Sequence, residues 1–105
     1  MVDALEEKMG EEIVLLDLRE VALFTDFFII CSGTSDRMLN AMLEGVEEDV
    51  HDTYDLRPRV EGISHDGWVL VDYGDVILHL FSPEQRDYYR LEDLWSHGKL
   101  VLHLQ

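Results

Sequence analysis

The chain has 105 residues, the length of one domain, and its 47% apolar content is ample for a single modest core. Twenty-three Asp and Glu stand against eight Lys and Arg, a net charge of −15 with only Lys8 and Lys99 as lysines. A surface of that sign repels phosphate and argues against direct recognition of nucleic acid, and the chain has no run of ~18 apolar residues to span a membrane.

The first residues, Met1-Val2-Asp3-Ala4-Leu5-Glu6-Glu7, are acidic where a signal or transit peptide is basic. Cys31 is the only cysteine, so no internal disulfide forms, and these features together point to the cytosol. The acid excess has two readings: complementarity to a basic protein partner, or a generic solvated surface suited to high internal salt.

The order of elements predicts an α/β fold in one domain, residues 1–105, without repeats or linkers. Residues 2–9 place Val2, Leu5 and Met9 on one helical face, with Gly10 as a stop. Residues 13–18 read as a strand and 19–26 as a connection. Residues 27–31 are apolar at every position, as in a strand covered on both faces. Ser32-Gly33-Thr34-Ser35-Asp36 then opens a helix that Ser35 or Thr34 can cap. Met38, Leu39, Met42, Val46 and Val50 recur at spacings of three and four, an amphipathic helix of about four turns resting on a sheet. Arg57-Pro58-Arg59 breaks it, and residues 60–63 suit a short strand. A helix between strands lets a later strand run parallel to an earlier one.

Residues 68–73 and 76–81 are two β-rich runs separated by Gly74-Asp75, the signature of a tight hairpin of type II′ or I′. Pairing Tyr73 with Val76 sets Asp72 against Ile77, Leu70 against His79 and Trp68 against Phe81. One face is then plain core: Val69, Val71, Tyr73, Val76, Leu78 and Leu80. The other, Trp68, Leu70, Asp72, Ile77, His79 and Phe81, mixes aromatics with an acid and a histidine, a composition suited to intermittent covering. Ser82-Pro83-Glu84-Gln85 is a helix start, with Ser82 as cap and Gln85 placed to complete a capping box. Tyr88, Leu91, Leu94 and Trp95 form an apolar stripe after it. Residues 96–105 read as a turn at His97-Gly98 and an alternating tail with Leu100, Leu102 and Leu104 on one side.

Catalytic chemistry finds little support. His51, His65, His79, His97 and His103 show no metal-ligand spacing, and one cysteine rules out a structural zinc site built on several. His51 and His65 lie in polar stretches. His79 falls beside Trp68 and Phe81, either as a satisfied histidine at a core edge or as part of a surface. Asp75 is a turn residue and Asp72 alternates within a strand, a better account of both than a pair of catalytic acids. Gly33-Thr34-Ser35 after a buried strand makes a possible phosphate cradle, as in nucleotidyltransferases, but no Asp-x-Asp strand follows and no Walker lysine or GxGxxG is present. The residues argue for a non-enzyme without cofactor or metal.

Three blocks resemble the signatures of the RsfS/Iojap family of ribosomal silencing factors. They are Thr25-Asp26-Phe27-Phe28-Ile29-Ile30-Cys31-Ser32-Gly33-Thr34-Ser35, the hairpin from Gly67 to Phe81, and Arg86-Asp87-Tyr88-Tyr89-Arg90-Leu91-Glu92-Asp93-Leu94-Trp95. Val60-Glu61-Gly62 also fits, and the resemblance covers residues 3–95, leaving 96–105 as a tail of open role. It implies a mixed sheet with helices packed on it, distantly similar in topology to nucleotidyltransferases without their catalytic acids. It also implies a cytoplasmic protein that binds the large ribosomal subunit through ribosomal protein L-fourteen, blocks joining of the small subunit and represses translation. Subunit maturation is a further role attributed to relatives, and a homodimer is implied when no ribosome is present. A charge of −15 exceeds what docking on a basic partner needs, so salt adaptation can be layered upon it.

The docking surface that the resemblance implies comprises Trp68, Leu70, Asp72, His79 and Phe81 from the hairpin face. Tyr73, Gly74 and Asp75 add its tip, and Tyr88, Leu91 and Trp95 come from the last helix. The strand pairing reaches the first five on its own. The last three are a helix stripe, ordinarily core, and Trp68 and Phe81 can be covered by that helix.

Overall fold

The computed structural model describes all of residues 1–105. In chain order the elements are α1 (Val2–Glu7), β1 (Glu11–Asp17), β2 (Phe27–Ser32), α2 (Asp36–Tyr54), β3 (Arg59–Ile63), a 3₁₀ turn (Ser64–Asp66), β4 (Trp68–Asp72), β5 (Val76–Phe81), α3 (Pro83–Tyr89), α4 (Leu91–Leu94) and β6 (Lys99–Leu104). The six strands form one mixed sheet in the order β3-β4-β5-β2-β1-β6. Only β2 and β5 are parallel neighbours; every other pair is antiparallel.

The central parallel pair is buried on both faces, as the apolar run of residues 27–31 in β2 requires; β5 is buried likewise although His79 interrupts its apolar sequence. On one side, α1 and α2 set Leu5, Leu39, Met42, Val46 and Val50 against Ile29, Cys31, Val69, Val71, Leu78 and Leu80. On the other, Leu18 and Leu91 close over Phe28, Ile30, Ile77 and Phe81, with Trp68, Leu70 and Trp95 at the margin. The alternation of β4 and β5 between these two clusters is the one read from sequence, and the observed pairs Trp68–Phe81, Leu70–His79 and Asp72–Ile77 match it. Gly74 takes a positive φ of 87° while Asp75 does not, which excludes type I′ and fits a turn with Gly first.

Several boundaries depart from expectation. The first helix stops at Glu7, so Met9 leaves the helical face, takes a left-handed φ of 66° and is exposed. Gly10 is needed for space instead: a Cβ there would lie 2.6 Å from the Cys31 sulfur. Helix α2 runs 19 residues, beyond the expected length, because Ser35 accepts from the Met38 N–H and a left-handed Asp55 closes the far end. Its successor β3 runs in the same direction as β2 but joins the hairpin as an edge strand, with β4 and β5 between it and β2. The capping box at Ser82 is only half made. Ser82 Oγ accepts from the Gln85 N–H, whereas the Ser82 N–H donates to the Gly67 carbonyl. The tail becomes β6, antiparallel to β1, with a register shift between its Leu15–Leu102 and Leu16–Leu100 pairs.

The β3–β4 ribbon depends on a close backbone approach at Gly62, whose φ is +87° and whose missing Cβ would lie 2.3 Å from the Trp68 carbonyl oxygen. Gly74 shares that φ but faces open space. Gly62→Ala should therefore destabilise the fold by about 2–3 kcal/mol and Gly74→Ala by only about 1 kcal/mol, read as urea midpoints.

Candidate functional site

The sequence-selected residues occupy three distinct settings. Trp68, Leu70 and Asp72 are half-buried along β4, on the face opposite α2. Beneath them, His79 and Phe81 belong to the packed layer, Phe81 at 0% exposure and His79 at 4%. These two support the surface and present little of themselves to a partner. Tyr73 projects to the other side of the sheet, against the α2 core, because strand alternation puts it in line with Val69 and Val71. Burial there pushes its phenol up to about 12.

The hairpin tip is held from outside. Thr25 Oγ1 donates to the Gly74 carbonyl at 2.9 Å, and the N–H groups of Asp26 and Phe27 both donate to the Asp75 carbonyl at 3.0 Å. Asp72 accepts from the Gly74 N–H at 2.7 Å, closing a side-chain turn across the tip. Gly74 and Asp75 remain exposed.

The expected stripe on the last helix does not exist as one stripe. Arg90 takes a left-handed φ of 48° and divides the segment into α3 and α4. Leu91 turns inward and Trp95 is half-buried, whereas Tyr88 (77% exposed) and Leu94 point to solvent. Tyr89, which sequence reasoning did not select, packs on Trp68 at a centroid distance of 4.5 Å and on Tyr88 at 5.0 Å.

Two more features were missed. Arg86 donates to Ser32 Oγ and to the Glu12 carbonyl and pairs with Glu92, tying α3 to β1, β2 and α4 from a nearly buried position. Its only sequence signal was its place in the third block. Residues Leu23 and Phe24, within a segment read simply as a connection, are exposed, and Phe24 stacks edge-on against Trp95 at 5.5 Å. The four-residue run Val21-Ala22-Leu23-Phe24, too apolar for an ordinary loop, was the available signal.

An aromatic chain connects these pieces. Tyr89 meets Trp68, the Trp68 Nε1–H donates to His79 Nδ1 at 3.2 Å, His79 meets Phe28 edge-on at 4.7 Å, and Phe28 meets Trp95 at 5.7 Å. With Nδ1 accepting, the proton of the neutral ring sits on Nε2, which is buried without a hydrogen-bond partner. Burial holds the imidazole down at about 4. The unfolded chain therefore binds the extra proton first, so His79 contributes stability above its ordinary value of 6.5 and loses it as pH falls toward 4. The contribution is about 3 kcal/mol. His79→Asn, whose amide oxygen can accept from Trp68, should cost stability at pH 7 yet flatten the fall between pH 6.5 and 4 relative to the wild type, measured by urea unfolding across pH.

No three His, Cys, Asp or Glu side chains converge on a metal position, and no helix is long and apolar enough to cross a membrane. Gly33 is packed against Met42 and Leu39, and Ser35 is engaged as a helix cap. Cys31 is buried, which raises its thiol to about 12.

The family described as "Ribosomal silencing factor during starvation" matches residues 1–104, including β6. A Bacillus subtilis protein named ribosomal silencing factor RsfS is 36% identical over 98 residues, covering 93% of this chain and 83% of its own. A mouse protein named for mitochondrial assembly of the ribosomal large subunit is 34% identical over 91% of this chain, which spans 43% of it. The crystal structure of a Chromobacterium violaceum protein superposes with a TM-score of 0.85 at 31% identity, covering 99% of this chain and 86% of that one. With a family match over almost its whole length and relatives of this identity, the chain belongs to the RsfS family of ribosomal silencing factors.

Proposed function

We propose that this chain binds the large ribosomal subunit through ribosomal protein L-fourteen and sterically prevents the small subunit from joining, repressing translation without catalysis. The observation that carries this reading is the incompletely covered flank of the sheet, where Trp68 and Leu70 lie half-open beside Asp72 and the exposed Tyr88 and Tyr89. Aromatic anchors with a few polar neighbours are the usual composition of binding hot spots. A partner footprint of about 800 Å² would take about one-eighth of the 6575 Å² surface, well within the reach of this flank and the hairpin tip.

The docking set accordingly centres on Trp68, Leu70, Asp72, Gly74, Asp75, Tyr88 and Tyr89. His79, Phe81 and Leu91 act beneath it by holding the surface in place. The charge of −15 complements a basic ribosomal protein and opposes direct contact with rRNA. Steric exclusion needs no conformational work: a body 33 × 33 × 23 Å across seated on the joining face competes with the small subunit by mass action. In this reading the chain acts as a single cytoplasmic module, with a homodimer as its form away from the ribosome.

A second reading, adaptor in large-subunit assembly, is favoured by the name of the mouse relative. Binding to mature subunits supports silencing, and binding to precursors alone supports assembly.

Co-sedimentation with isolated mature large subunits across a salt series tests the first reading. Wild type should pellet with the subunits, and Trp68→Ala and Leu70→Ala should each weaken binding by about tenfold or more. Glu48→Ala, on the exposed side of α2, should bind as wild type. Because Trp68 also packs on Phe81, circular dichroism of each variant separates lost docking from lost fold, and Leu70→Ala carries the decision if Trp68→Ala unfolds. Wild type failing to pellet at every salt concentration would overturn the reading.

A further inference from the structure

On the β3–β4 flank, the pairs Ile63–Trp68 and Glu61–Leu70 put Glu61 and Ile63 on the same face of the sheet as Trp68 and Leu70. Helix α3 stands across from them but reaches only as far as Gln85 and Tyr89. Between helix and ribbon lies an open groove of about 650 Å³, walled by Trp68, Leu70, Tyr89 and Gln85 and bordered by the carboxylates of Glu61 and Asp66.

The charge of this groove distinguishes it. Four other surface grooves also have acidic walls, and each contains a cation of the chain itself: Arg86 and Arg90, Arg19 and Lys99, Lys8, or Arg57. In the groove between α3 and β1, for example, Arg86 already pairs with Glu92 and Arg90 with Asp93. The groove beside Trp68 has no Lys or Arg in its wall. Its histidine, His65, faces Asp36 at 3.2 Å, Asp66 makes no ion pair, and Glu61 meets only the exposed Arg59 along its own strand.

We propose that this groove receives a cationic side chain, arginine in preference to lysine, from the basic protein partner. The inference rests on the docking reading above and deepens it by assigning the chemistry of one contact. Trp68 and Tyr89, packed on each other at 4.5 Å, supply the aromatic part of the groove wall against which a cation can lie, and the two carboxylates supply charge-assisted acceptors at its edge. A guanidinium is planar and weakly hydrated, so it stacks on Trp68 or Tyr89 while bonding outward to Glu61 or Asp66, which a compact ammonium does less well. The surrounding negative field concentrates cations at the groove before contact.

The probe is N-acetyl-arginine amide, titrated into nitrogen-labelled full-length protein and followed by NMR, with the neutral isostere N-acetyl-citrulline amide beside it. Saturable shifts should centre on the Trp68 indole N–H and the amides of Gly62, Gln85 and Tyr89, with lysine amide weaker and citrulline at least about tenfold weaker. The double variant Glu61→Gln/Asp66→Asn, both sites exposed and outside the core, should keep the wild-type spectrum elsewhere and lose about tenfold in arginine affinity. Equal shifts with citrulline, or shifts scattered over the acidic surface, would overturn the proposal. A parallel co-sedimentation arm separates the two readings. If wild type pellets with large subunits and the double variant pellets equally well, the groove assignment fails and docking stands. If wild type does not pellet, docking fails, and an arginine response then marks a cation groove without its proposed partner, which overturns the assignment as stated.

Discussion

The sheet has two faces, and the chain's helices cover one of them more completely than the other, leaving the edge strand β3 exposed. Helix α2, at 19 residues about 28 Å long, spans the sheet on its side and buries Leu39, Met42, Val46 and Val50 along one stripe. The opposite cover is made from α3 and α4, seven and four residues, with part of the connection after β1. Six strands at about 4.8 Å spacing present a width that such short elements cannot close. They seal the central β2–β5 pair and leave β4 half-open and β3 bare. The half-open flank follows from that shortfall.

The uncovered flank is nevertheless braced from beneath and at its tip. His79 and Phe81 lie immediately beneath Trp68, the indole is fixed by its hydrogen bond to His79, and Thr25 and the backbone of residues 26–27 tie down the hairpin tip. Arg86 secures the short helices by bonding to β1 and β2. A surface prepared in this way loses little conformational entropy when covered, the condition under which a modest contact area gives useful affinity. The groove beside Trp68 is acidic and has no Lys or Arg in its wall, Glu61 meeting Arg59 only along its own strand.

Much of this was legible in the sequence because the signals were strictly periodic or local. The register of β4 on β5 followed from Gly74-Asp75 and strict alternation, and the double burial of β2 from an unbroken apolar run. Where reading failed, a tertiary demand had overridden a local pattern. The stripe Tyr88-Leu91-Leu94-Trp95 has perfect helical spacing, yet a left-handed Arg90 redirects it, and no propensity marks an arginine for that conformation. Met9 fits the first helix by spacing but lies beyond its end, because Gly10 must pass close to Cys31. Tyr73 was grouped with the docking tip by position in the chain, although its own alternation had already assigned it to the other face. The tail gave its strand pattern but not its partner, since antiparallel pairing with β1 is a contact of high sequence separation that alternation alone cannot specify.

The central claim is that the flank left open by α3 and α4 is the face that meets the ribosome. Amide hydrogen exchange on the protein, free and bound to large subunits, measures this most directly. The account predicts slowed exchange concentrated in β3, β4, the hairpin tip and α3, with α2 unchanged. Protection confined to α2 or β6, with Arg59–Ile63 and Trp68–Asp72 exchanging as in the free protein, would contradict it.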